Sequence, residues 1–241
     1  MKNNTRKEIF DKRIIELSKE GENNKLLNRH IKILKYLYRY CEKEDHILDI
    51  GCYDGKILKE LENKGYQNLY GSDFSEKSKL SFNNSKIHFS LYDIENDKVP
   101  FNNKFDVVIY TDVLEHLYSP ERVLENIKHY LNDNGKIFIS VPNAGFFLNG
   151  LLLSFFPSKL YFSTAFGPWD HIYHFTFYDI KRMSKKLGFK ILILEGGKMD
   201  NYIFNSGIKK YIFEFLLLIL QPLTYLLPSL FSDHIFVVLQ K

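Results

Sequence analysis

The chain has 241 residues, 45% hydrophobic and 26% charged, which suits one large domain and excludes both two independent domains and wholesale disorder. Aromatic residues are in excess at 16%, and two cysteines (Cys41 and Cys52) exclude a disulfide framework or a cysteine-based zinc site, so a reducing, cytoplasmic setting is expected. The net charge of +4 is scattered: 12 basic against 8 acidic groups in residues 1–45, 11 against 15 in 46–145 and 10 against 6 in 146–241, a balance that argues against a nucleic-acid partner.

Residues 1–13 have no apolar core, so no secretory signal is expected there. Residues 5–20 and 23–43 read as helices with Gly21 between them. In the second, Leu27, Ile31, Leu34, Tyr38 and Cys41 recur at spacings of four and three, a single apolar stripe. From His46 short apolar runs alternate with helical stretches. Strands are expected at 47–50, 68–72, 87–91, 105–110 and 136–141, and helices at 56–64, 76–82 and 120–131. The last helix has Ser119 as its N-cap and Pro120 at its first position, and Asn134-Gly135 turns the chain into the following strand. This alternation means βαβ units and a parallel sheet with helices on both faces.

After Pro142 the rhythm loosens. A helix at 177–187 ends at Gly188, a strand follows at 189–194, and a last strand is expected at 234–239. Two stretches are strongly apolar, FFLNGLLLSFF (146–156) and YIFEFLLLILQPLTYLLPSLF (211–231). Both are broken by polar residues or prolines, and neither supplies the roughly 20 clean apolar residues of a spanning helix. No transmembrane span is therefore expected, while buried helices and a peripheral, membrane-touching flap both stand open.

The first strand runs into Gly51-Cys52-Tyr53-Asp54-Gly55 and then a helix. In a parallel sheet, ligands sit at the carboxyl ends of strands, where glycines let backbone approach them. A dinucleotide fold would place glycines where Tyr53 and Lys56 stand, so a dehydrogenase is disfavoured. Asp49, Asp73 and Asp93 instead end three successive strands. That lining would repel a pyrophosphate and would hold a ligand carrying an ammonium group, ribose hydroxyls and an adenine amino group.

In order, HILDIGCYDGKILKEL, NLYGSDFS, SLYDIE and FDVVIYTDVLEHLYSPERVLENIKHYLNDNGKIFISVPN resemble a class I S-adenosylmethionine-dependent methyltransferase of the ubiquinone-type or bacterial glycan group. The resemblance covers 46–143 strongly and HFTFYDIKRMSKKLGF (174–189) more weakly. It implies an α/β, Rossmann-like, seven-stranded, mostly parallel sheet in a single domain. The N-terminal helices (1–45) and hydrophobic insertions (144–176 and 197–232) would form a lid over the acceptor. It also implies S-adenosylmethionine as co-substrate. Asp49, Gly51, Cys52, Tyr53 and Gly55 would line its methionine part, Asp73 its ribose, and Phe74, Asp93 and Ile94 its adenine. Thr111 and Asp112 would border the methionyl end. Tyr53 departs from the family's usual glycine.

The resemblance leaves the acceptor chemistry to three histidines, His116, His171 and His174, as candidate bases. His116 belongs to the shared Leu-Glu-His element and would serve equally by fixing the turn after the fourth strand. Asp112, Glu115 and His116 stand at i, i+3 and i+4, and on a helical turn they would point one way. Some relatives use a similar pattern for a divalent metal, which is not the favoured reading here. The expected reaction is O-methylation of a small acceptor, a sugar, nucleotide-sugar or lipid-linked glycan intermediate. Alternatives are N-methylation of an amino-sugar or phosphoramide-type acceptor, quinone-type O-methylation, and a non-catalytic donor-binding partner subunit. The aromatic insertions suit stacking on a ring, and equally suit core packing or a homodimer.

Overall fold

The computed structural model describes residues 26–83, 85–155, 165, 171–197, 211, 220 and 222–241. The expected helix at 5–20, and much of the insertions, lie outside the described residues. Seven strands are present: β1 His46–Ile50, β2 Asn68–Asp73, β3 His88–Leu91, β4 Phe105–Thr111, β5 Leu131–Pro142, β6 Lys190–Gly196 and β7 His234–Gln240. They form one sheet in the order β3-β2-β1-β4-β5-β7-β6. The pairs β1–β2, β1–β4 and β2–β3 are parallel, and β6–β7 is antiparallel. The seven-stranded, mostly parallel, Rossmann-like fold is thus present, with every expected strand in place.

The helices depart from expectation at their edges. The stretch 76–82 shortens to a 3-10 turn at Ser78–Phe82, and 120–131 divides into an α-helix at Pro120–Ile127 and a 3-10 turn at Lys128–Tyr130. β5 starts at Leu131, so Asn134-Gly135 lies within it and does not precede it. Asn134 has a left-handed φ of 64°, which a short polar side chain tolerates. In the helix Asn28–Tyr40 the buried residues are Ile33, Leu34, Tyr36 and Leu37, while Ile31 and Tyr38 are exposed. The expected stripe therefore held the right helix and, in part, the wrong face.

The chain forms two compact units, Met1–Thr111 with Asn126–Lys136 and Asp112–Glu125 with Ile137–Lys241. In the first, Ile47 and Leu48 of β1 and Val107, Val108 and Ile109 of β4 are fully buried. Such continuous apolar runs are what strands covered on both faces require. The helix Lys56–Asn63 adds Ile57, Leu58 and Leu61 to this core. At the starts of the strands, the Tyr70 ring stacks between His46 and His88, at 5.9 and 5.0 Å between centroids, with Phe105 edge-on at 5.3 Å. Asp106 accepts from the His46 amide (2.9 Å) and the Asn132 side chain (2.6 Å), joining three strands.

In the second unit, β6 pairs with β7 through a ladder whose register shifts between Ile191 and Ile193. Asn143, fully buried, donates through its side chain to the carbonyls of Ser229 (3.0 Å) and Ser232 (2.7 Å), and through its amide to that of Asp233 (2.7 Å). These three bonds fix the chain entering β7. Helices occupy Phe147–Phe155, Leu223–Leu226 and Pro228–Phe231, and Phe147 meets Phe231 at 5.1 Å between ring centroids. Among the described residues no helix is long and apolar enough to cross a membrane.

The helix Phe177–Lys186 opens with a reciprocal cap. Thr176 Oγ1 accepts from the Asp179 amide (3.3 Å), and Asp179 Oδ2 accepts from the Thr176 amide (3.0 Å) and hydroxyl (2.6 Å). Replacing Thr176→Ala removes half of this box and should lower the unfolding free energy by about 1 kcal/mol, read from the urea midpoint at unchanged slope.

Candidate active site

In the first unit the site is built where β1 and β2 end. Gly51, Tyr53 and Gly55 all have left-handed φ, at 74°, 49° and 74°. Tyr53 thus keeps the loop path that a glycine would take, in a conformation a bulky residue adopts only under constraint. The constraint is Asp73, whose Oδ2 accepts from the Tyr53 amide and whose Oδ1 accepts from the Ser75 amide, both at 2.9 Å. The Ser72 carbonyl also accepts from the amides of Gly51 (2.8 Å) and Cys52 (3.1 Å). At Gly55 an added Cβ would lie 2.5 Å from the Phe82 ring, so the ring fills the space that a side chain would need. Cys52 is buried, and that burial pushes its thiol well above the ordinary range.

The acids differ in how far they are already satisfied. Asp49 is 3% exposed, and its Oδ1 accepts no hydrogen bond among the described residues. Burial, and then the neighbouring Asp73 and Asp54, push its carboxyl well above the usual carboxylate range. A buried carboxylate in this state calls for a cation or an N–H donor. Asp73 is also raised by burial, against the pull of the backbone amides that it accepts from. Asp93 caps its own turn, accepting from the Glu95 amide (3.1 Å) and the Asn96 side chain (2.8 Å). Phe74 and Ile94 are half-buried beside their acids, and Thr111 Oγ1 is buried with no hydrogen-bond partner among the described residues.

The second unit holds the histidines. Glu115, His116 and His171 each offer a ligand atom, and these atoms lie within 4.8 Å of one another. The rings of His116 and His171 meet edge-on at 4.8 Å, and His171 Nε2 is 4.0 Å from Glu115 Oε1. The Glu115 carbonyl accepts from the amides of Ile172 and Tyr173, at 2.8 and 2.9 Å, which brings the two segments together. His171 and His174 both direct Nδ1 at the Ala165 carbonyl, each at 3.1 Å. A carbonyl can only accept, so each Nδ1 carries a proton in these contacts. Burial lowers the His171 pKa from its ordinary 6.5.

Asp112 does not join this cluster. The expectation that Asp112, Glu115 and His116 share a helical face is corrected: the segment is only a 3-10 turn at Leu114–His116, and Asp112 precedes it with a left-handed φ of 54°. Its amide donates to the Ser140 carbonyl (3.0 Å), its Oδ1 accepts from the Ser140 hydroxyl (2.7 Å), and its Oδ2 is 3.9 Å from His234 Nε2. His234 Nδ1 is 3.2 Å from Asp233 Oδ1. Sequence reasoning missed Ser140, Asp233 and His234. Ser140 stands inside β5 with no signal of its own, and the one signal for the other two was a pair of polar residues at the head of the buried strand β7.

The donor sets have distinct chemistry. The strand-end acids of the first unit fit a ligand with a cationic, N–H-bearing end and hydroxyls, since Asp49 has an unmet oxygen at the close of β1. The carboxylate and two imidazoles of Glu115, His116 and His171 fit proton transfer or a divalent ion.

A methyltransferase-domain family model matches residues 22–194. The chain is 29% identical over 120 residues to a ubiquinone biosynthesis O-methyltransferase of Coxiella burnetii, covering 47% of this chain and 50% of that one. It is 32% identical over 100 residues to a tRNA U34 carboxymethyltransferase of Campylobacter hominis, covering 39% and 34%. The chain thus spans half or less of the length of these curated relatives. Among solved structures, a plantazolicin methyltransferase in complex with a pentazolic desmethylPZN analogue and SAH superposes with a TM-score of 0.60 at 22% identity, over 96% of this chain and 91% of that one. With a strand-end carboxylate loop, a seven-stranded sheet and a family match over most of its length, the chain belongs to the methyltransferase-domain family, of the class I, S-adenosylmethionine-dependent kind.

Proposed function

We propose that this chain transfers the methyl group of S-adenosylmethionine to a hydroxyl of a small acceptor with a largely apolar body, of the quinone-precursor or lipid-linked kind. The observation that carries this reading is the cluster of Glu115, His116 and His171, a carboxylate beside two imidazoles suited to taking a proton from a hydroxyl. The likeness to a quinone O-methyltransferase supports the acceptor class. Exposed Leu153, Phe155, Tyr225 and Leu226 support an acceptor presented at a lipid surface. The glycan acceptor expected from the aromatic insertions rests largely on segments outside the described residues, and ranks second.

In this reading Asp49 receives an N–H of the donor's ammonium on its unmet oxygen. Asp73, at the end of β2, receives the ribose hydroxyls, and Asp93 receives the adenine amino group. His171, held neutral by burial, takes the hydroxyl proton on Nε2, and Glu115 stabilises the imidazolium that forms. The acceptor oxygen bonds to the methyl carbon as the C–S electron pair returns to sulfur. Glu115, His116 and His171 also make a donor set for a divalent ion, which would polarise the acceptor oxygen when bound.

Incubation with methyl-labelled donor and fractionated lipid, quinone and glycan extracts tests the reaction, and label confined to protein or RNA would overturn it. His171→Ala should slow transfer about 100-fold while leaving SAH affinity unchanged. The folded-state pKa of His171 is lowered, so its support for the folded state is present above pH 6.5 and fades as pH falls below that value. As a base the ring stays neutral down to its lowered pKa, so transfer should persist at pH 6.5 and somewhat below it and fail only in more acidic buffer. A strong chelator decides the ion: full activity after treatment excludes it, and loss restored by a divalent ion requires it.

Asp49→Asn should weaken SAH binding about tenfold or more, read by calorimetry. The same change should raise the melting temperature of the ligand-free chain at neutral pH. Asp49 has a raised pKa in the folded state, so its ionisation destabilises that state progressively as pH climbs above 3.8. A variant that binds SAH normally would remove Asp49 from the donor site.

A further inference from the structure

Four side chains of the second unit form an array that the histidine cluster does not use. His234 is 5% exposed and Asp233 is 3% exposed. The imidazole lies in ion-pair range of both acids, with Asp233 Oδ1 at 3.2 Å from Nδ1 and Asp112 Oδ2 at 3.9 Å from Nε2, and Asp233 Oδ1 accepts no hydrogen bond among the described residues. Asp112 Oδ1 takes the Ser140 hydroxyl at 2.7 Å. A neutral ring has no charge to set against either acid. Protonated at both, the ring serves each acid and reduces the charge that the fold must bury.

The backbone holds this ring rigidly. The Asn143 amide donates to the Asp233 carbonyl at 2.7 Å, and the Gly197 amide donates to the His234 carbonyl at 2.9 Å. Exposure falls along the array, from 19% for the Asp112 side chain to 7% for His234 and 4% for Asp233. Asp112 is therefore its outward member. It also carries the left-handed φ of 54°, a conformation that is strained for a residue with a Cβ. The two bonds to Ser140 and the facing imidazole offset that strain.

We propose that His234 is a positioning residue of this methyltransferase, an imidazolium clamped by Asp233 that keeps the Asp112 carboxylate ionised and aimed as the group that orients the acceptor. Asp112 receives an O–H or N–H of the acceptor molecule, so acceptors lacking such a donor are rejected. The orienting role rests on the reading of the chain as a small-molecule methyltransferase, whereas the bridge between the two acids does not. Besides the two acids, His171 is a titratable group whose charge couples to the ring, and burial lowers its own pKa.

The test uses the full chain labelled with nitrogen-15 histidine, with the His234 signals assigned by their loss in His234→Gln. At neutral pH both ring nitrogens should be protonated. Asp112→Asn should leave a neutral ring protonated at Nδ1 alone. Asparagine tolerates the left-handed backbone and keeps an oxygen for Ser140, so this variant retains the fold. A neutral ring in the unaltered chain, or a ring indifferent to Asp112→Asn, would overturn the bridge. In label transfer, His234→Ala and Asp112→Asn should each lower kcat/KM for the acceptor roughly tenfold or more, and His234→Ala should change SAH affinity less than about twofold. Unchanged kcat/KM, or a parallel loss of SAH affinity in His234→Ala, would overturn the orienting role. If the unaltered chain methylates no small molecule, the proposed function and the orienting role fall together, and the spectra still decide the bridge.

Discussion

The Asp73 carboxylate is the point on which the donor end of the first unit depends. One oxygen accepts from the Tyr53 amide and the other from the Ser75 amide, so a single side chain at the end of β2 sets both the loop after β1 and its own turn. The loop cannot relax to an ordinary extended path without breaking the Tyr53 bond. That is why a tyrosine adopts a backbone conformation usually left to glycine. With the loop so fixed, Gly55 meets the Phe82 ring, Cys52 turns inward, and Asp49 is buried with an oxygen still unmet. Burial works against the ionised forms of both Asp49 and Asp73. An array of this kind is poor packing and good recognition of a cation.

The second unit solves a different electrostatic problem with the same materials. Its acids and imidazoles divide into two sets because the chain after β4 makes a left-handed residue and one 3-10 turn instead of an α-helix. Glu115 and His116 face His171, while Asp112 is turned toward Ser140 and His234. In an α-helix all three residues of the first segment would have shared a face. The local conformation thus decides which carboxylate serves which imidazole.

The fold was legible because β1, β4 and β7 are buried along most of their length, so their centres must be written as apolar runs. The strand-end acids and the glycine loop were legible for the same reason, since they sit at fixed offsets from those runs. What could not be read was set by contacts distant in sequence. The buried face of Asn28–Tyr40 differs by one residue from an equally regular alternative, and only packing distinguishes them. Tyr53 looked like a break in the loop because the bond that holds its backbone comes from Asp73, on the next strand. His234 belongs to no local pattern: its partners lie on the preceding residue and in a turn far earlier in the chain.

The array around His234 also explains why a histidine stands at the head of β7. A lysine there would have to bury a long stem with a point charge, and a neutral amide could not offset two acids. Imidazole is compact, presents its two nitrogens in opposite directions, and can carry a proton on each. Asp233 and Asp112 approach those nitrogens from separate segments, the first tied to Asn143 and the second to Ser140. A ring of fixed geometry between two fixed acids transmits position, so a small shift at the start of β7 would move the Asp112 carboxylate with it. The outward acid then inherits the rigidity of the sheet although it sits in a turn, which is what an orienting contact requires.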